Sequence, residues 1–68
     1  MKVKDKPDEY FQPGVKLYCP QTKVTFEVLQ LDLNDRHPSV VLKSLSTGNE
    51  SWPFLLWLKD WDIIEEAI

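Results

Sequence analysis

Apolar and polar positions alternate along most of the chain, and the alternation changes phase at informative places. Val15, Leu17 and Cys19 share one parity, while Lys16 and Tyr18 take the other. Period two predicts a strand with one buried face. Pro20-Gln21-Thr22 is turn chemistry. Lys23 to Leu33 is rich in β-branched and aromatic residues and predicts a second strand. Its apolar set switches parity: Val24, Phe26 and Val28 lie on one side, then Leu29, Leu31 and Leu33 on the other. A straight strand would turn one set to water, whereas a bulge or sharp bend near Val28-Leu29 keeps both inward.

Asn34-Asp35-Arg36-His37-Pro38 reads as a polar loop. Ser39 to Ser46 predicts a third strand, and Thr47-Gly48-Asn49 a tight turn in which Gly48 accepts positive φ. Glu50 to Phe54 continues as a fourth strand with Trp52 and Phe54 on one face. Pro53 has no N–H to donate, so this strand is an edge or ends there. Residues 55–68 admit two readings. Trp57, Trp61, Ile64 and Ile68 recur at helical spacing, which makes an α+β chain with a C-terminal helix the alternative. The favoured reading is one helical turn, Leu55 to Lys59, then a final strand from Trp61 to Glu65. Ile63-Ile64 is β-branched, and four strands this short need a fifth to cover an edge. The expected class is all-β.

Length limits the number of cores. A chain of 68 residues holds one domain. Residues 1–13 are rich in charge, with Pro7 and Pro13, and are expected to form a flexible tail that Tyr10 and Phe11 pin to the rim of a single domain at 14–68. One Cys excludes a disulfide within the chain, and one Cys with one His excludes a zinc site built from those residue types. Stability must come from packing or self-association, and 43% hydrophobic residues with three Trp supply the material. The basic start, Met1 to Lys6, is followed by no apolar run, so no signal peptide is expected. No segment reaches the ~20 apolar residues of a membrane span. A reducing cytoplasm is the expected location.

Charge refines this. The net charge is -3, but residues 49–68 carry Lys59 against Glu50, Asp60, Asp62, Glu65 and Glu66. The surplus sits at the C-terminal end, opposite to the balance of a phosphate-tracking protein.

The residue pattern of Gly14-Val15-Lys16-Leu17-Tyr18, of Val24 to Leu29, and of Val41-Leu42-Lys43-Ser44-Leu45 running into Thr47-Gly48-Asn49-Glu50 resembles SH3-like and Tudor-like small β-barrels. Phe54 to Leu58 and Asp60-Trp61-Asp62-Ile63-Ile64 extend the likeness, which is to short uncharacterised proteins of bacteriophages and other mobile elements. The resemblance implies a five-stranded barrel with a short helical turn before the last strand. It implies a module that binds peptides, proteins or nucleic acid and is not an enzyme. The chain departs from it at Pro53 and in its Trp-rich end.

Catalytic constellations are thin. Cys19 and His37 could in principle make a nucleophile and base, but Cys19 shares parity with Val15 and Leu17 and reads as packing. Asp60 with Asp62 and Glu65 with Glu66 read as a solvated face, and two glycines cannot build a phosphate loop. No cofactor or metal is expected. The aromatics carry the functional expectation, since Trp and Tyr are enriched at binding hot spots. Trp61 is the one best suited to the core. The expected partner surface combines Tyr18, Trp52 and Trp57 with Asp60 and Asp62, on a non-enzymatic module that binds a protein, such as a host factor. The alternatives are a single-stranded nucleic-acid binder using Lys16, Lys23, Arg36 and Lys43, and a self-assembling dimer.

Overall fold

The computed structural model describes residues 1–33 and 36–64. Five antiparallel strands form one sheet: β1 (Lys16–Cys19), β2 (Val24–Asp32), β3 (Ser39–Ser44), β4 (Glu50–Ser51) and β5 (Asp62–Ile64), in the order β4-β3-β2-β1-β5. Short 3-10 turns occupy Val3–Asp5, Asp8–Tyr10 and Leu55–Leu58. The all-β expectation holds, with a helical turn before the last strand. The C-terminal helix alternative is overturned within the described residues. Leu55–Leu58 is a single 3-10 turn, and Ile63 lies opposite Leu17 in the sheet. Pairing with β1 holds these β-branched residues in the extended conformation they favour over a helix. The helical position Ile68 and the strand end Glu65 lie outside the described residues.

The bulge falls where the parity switch predicts it. Val28 pairs with Leu42 and Gln30 with Val41, which leaves Leu29 as the extra residue. The benefit is smaller than expected. Leu31 returns to the core, opposite the buried Val40, but Leu29 is exposed at the bulge and Leu33 lies exposed past the last pairing. One inserted residue resets the phase and is itself left unpaired.

The core collects Leu17, Val28, Val40, Leu42, Leu55, Leu58 and Ile63. Phe26 and Trp61 close it, their rings 5.1 Å apart. Cys19 is buried with them on the inward parity of β1.

Two further core residues come from the segment set apart as a tail. Val3 is 2% exposed and Phe11 1% exposed. Met1 to Val3 runs antiparallel beside β5: the Ile63 N–H donates to Met1 O at 2.7 Å and the Val3 N–H to Trp61 O at 2.9 Å. The outer edge of β5 is therefore covered rather than left open. Phe11 passes beyond the rim into the core, with Tyr10 edge-on against it. A boundary after residue 13 thus cuts through the core. A lone Val among charges shows no periodicity, so the sequence gives no sign of this packing.

Candidate aromatic binding face

Register assigns the side chains of β2, β3 and β4 to rows on the outer face. Lys16 lies opposite Glu27, Glu27 opposite Lys43, and Lys43 opposite Glu50, a row of alternating charge across four strands. Directly opposed side chains in such a row interact. The next outward row begins with Gln30 opposite Val41, and the one after with Asp32 opposite Ser39, which itself bridges to Phe54. Continuing the β3–β4 register from Leu42–Ser51 by one step sets Trp52 beside Val41.

Pro53 shapes the end of this edge. The Val40 N–H donates to Pro53 O at 3.1 Å, but proline has no N–H to complete the pair. Regular pairing stops at Ser51, short of the expected Phe54, and resumes only as the single Ser39–Phe54 bridge. The Leu55 N–H then donates to Pro38 O at 2.9 Å, which docks the 3-10 turn on the loop before β3.

The consequence is an aromatic strip on an exposed edge. Trp52 is 70% exposed and Trp57 66%. Trp57 stands edge-on to Phe54, centroids 4.9 Å apart, and His37 approaches Phe54 from another side at 5.8 Å. Two shallow depressions of about 230 Å³ border the strip. Gln30, Asp32, Ser39, Val41 and Trp52 line one, with Val40 beneath; Asp8, His37, Pro38, Leu55, Leu56 and Lys59 line the other. Both fall below the roughly 300 Å³ at which small-molecule pockets begin. That size suits a protein side chain.

The five residues expected to form one partner surface are divided between two regions. Trp52 and Trp57 belong to the strip. Tyr18 lies on β1 opposite Asp62 on β5, at the other end of the sheet order. Asp62 there holds Lys2 at 2.9 Å, and the Lys2 ammonium also donates to the Asp60 carbonyl at 3.2 Å. The N-terminal lysine thereby offsets part of the acidic end. The division arises because the 3-10 turn carries the chain from the β4 edge across to the β5 edge between Trp57 and Asp60.

The four basic residues of the nucleic-acid alternative are not gathered either. Lys16 and Lys43 stand in the alternating row, each opposite Glu27. Lys23 precedes β2 and Arg36 follows it, on the order of 25 Å of strand apart at about 3.3 Å per residue. Cys19 and His37 are separated in the same way, Cys19 pairing with Val24 at the start of β2, so they do not form a dyad. The Cys19 thiol has its own setting. Burial raises its pKa, but hydrogen bonds from the Thr22 hydroxyl and the Thr22 and Gln21 backbone outweigh this and lower it. Among the described residues no three His, Cys, Asp or Glu side chains converge to hold a metal ion, and no helix is long and apolar enough to cross a membrane.

Sequence reasoning missed Gln30, Asp32 and Val41 as parts of the face. The parity switch at the bulge holds the signal for the first two: one extra residue turns Gln30 and Asp32 to the same outward side as Glu27. No family model matches the chain, and neither curated proteins nor solved structures yield a match.

Proposed function

We propose that the chain is a protein-interaction module that docks a segment of a partner protein on the Trp52–Phe54–Trp57 strip. One observation carries this reading: two Trp side chains within six residues, one just past the β4 edge strand and one in the 3-10 turn that follows, are about two-thirds exposed. A domain this small needs its large apolar side chains inside, and indoles left out on an edge beside side-chain-sized depressions suit a binding hot spot. Trp52 and Glu50 alternate with the residues bonded to β3, so their backbone groups face away from the sheet. An extended partner segment adding to the β4 edge would find main-chain partners there as well as the aromatic side chains.

The test is capture from a lysate with the full chain as bait, quantified by mass spectrometry, against a Trp52→Ala/Trp57→Ala variant and a Leu45→Ser control. Leu45 is also exposed but lies at the other end of β3. A protein held by the parent and the control, and lost by the double Trp variant while its fold is intact, supports the reading. Equal capture by all three overturns it.

A further inference from the structure

Resting on that reading, we propose that the depression beside Trp52 receives an arginine side chain of the partner protein. The outer rows of β2, β3 and β4 supply its walls. Val41 gives an apolar floor, the Trp52 indole one wall, and Gln30, Asp32 and Ser39 the polar side.

Charge decides the sign of the guest. The outer face carries Glu27, Asp32 and Glu50 against Lys43 and against Lys16 of β1, which lies opposite Glu27, so the row through Glu27 is balanced and the acidic surplus lies at Asp32, opposite Ser39. Asp32 lines the depression together with the Trp52 indole, and Glu50 lies two residues before Trp52 on the same edge. Such a face repels a phosphate or carboxylate and attracts a cation. A carboxylate offers about four acceptor sites, so Asp32 can receive a guanidinium while keeping a contact within the fold.

Shape and chemistry then favour arginine over lysine. A guanidinium is planar, sheds water more readily than an ammonium, and stacks on an aromatic face. Its forked N–H groups match the Asp32 carboxylate, with the Gln30 amide oxygen and Ser39 hydroxyl as further acceptors. A Lys ammonium would place a strongly hydrated point charge in the same half-open space. The volume of about 230 Å³ suits one long side chain.

The test uses the full chain labelled with 15N and titrated with N-acetyl-arginine methylamide, its citrulline counterpart and its glutamate counterpart. Citrulline keeps the shape of arginine and removes the charge. The expected result is saturable shifts of the Trp52 indole N–H and of the Ser39 and Val41 amides with arginine alone. Asp32→Asn should weaken this titration about threefold to fivefold, as an exposed charge pair does, and Trp52→Ala should abolish it. Citrulline acting as well as arginine, or no saturable shift at these groups, overturns the arginine site. The two proposals fail separately. If the double Trp variant loses the partner but Asp32→Asn and the arginine probe change nothing, the interaction reading stands without an arginine pocket. If capture survives loss of both Trp residues, the interaction reading falls whatever the probe does.

Discussion

Residues 1–13 and residues 52–57 reverse what their compositions suggest. The first segment is rich in charge, yet it places Val3 and Phe11 in the core and covers the β5 edge. The second is almost wholly apolar, yet Trp52, Leu56 and Trp57 stand in solvent and Leu55 alone turns fully inward. Where a segment meets the sheet decides the outcome. Met1 to Val3 lies against an edge that needs hydrogen-bond partners, so a few backbone bonds hold a charged stretch in place. Residues 52–57 follow β4 on the opposite edge, and a 3-10 turn eclipses positions three apart. Such a turn cannot bury four successive large side chains.

Truncating one aromatic from each segment gives the largest contrast. Phe11→Ala should cost about 3–5 kcal/mol, comparable with the roughly 3–5 kcal/mol that holds a chain of this size, so the variant should be largely unfolded by circular dichroism. Trp57→Ala should stay within about 0.5 kcal/mol of the parent in urea unfolding, as exposed substitutions do. The opposite ranking would show that the N-terminal segment is dispensable. Val3→Ala tests the second anchor and should cost about 2 kcal/mol in the same unfolding assay.

Smaller effects sharpen how each segment is held. Gly48 has φ +80° in the turn that leads into β4, with open space where a Cβ would stand. Gly48→Ala should therefore cost about 1 kcal/mol from backbone strain alone, read as a lower thermal midpoint with an unchanged fold. At the other edge, Asp62→Asn removes the pair with Lys2, whose side chains are 42% and 40% exposed. The loss should be about 0.2–1 kcal/mol and should vanish in high salt.

The smallest predicted effect concerns β1, the strand beside β5. The folded Cys19 thiol ionises below its ordinary range because hydrogen bonds from Thr22 and Gln21 outweigh burial. The unfolded chain then binds more protons across the interval from that lowered pKa to about 8.5. Stability from this group rises with pH through that window, is complete above it, and is lost as pH falls through the folded pKa. Urea midpoints of the parent minus those of Cys19→Ala should grow between pH 7 and pH 9; a flat difference would show that the turn does not stabilise the thiolate.

Much of the architecture is legible from residue order. Period two in Val15 to Cys19, the parity switch at Val28-Leu29 and the Thr47-Gly48 turn each encode a local event, because strand alternation and positive φ are properties of neighbouring residues. Pro53 is legible too, since a missing N–H ends a ladder wherever it falls. The grouping of Tyr18, Trp52, Trp57, Asp60 and Asp62 was not legible, because it depends on which edge each strand occupies. Strand order is set by non-local pairing, and β5 returns to β1 across nearly the whole chain.

Residue order alone specifies an all-β chain, the position of its bulge, its tight turn and the inward parity of Cys19. Folding in three dimensions is what puts Val3 and Phe11 in the core, sets Lys16 and Lys43 against Glu27, and makes Trp52 and Trp57 rather than Tyr18 share an exposed strip. The physical reason is the same in each case. Burial and charge balance are fixed by partners distant along the chain, and no local pattern of residues records which partners will meet.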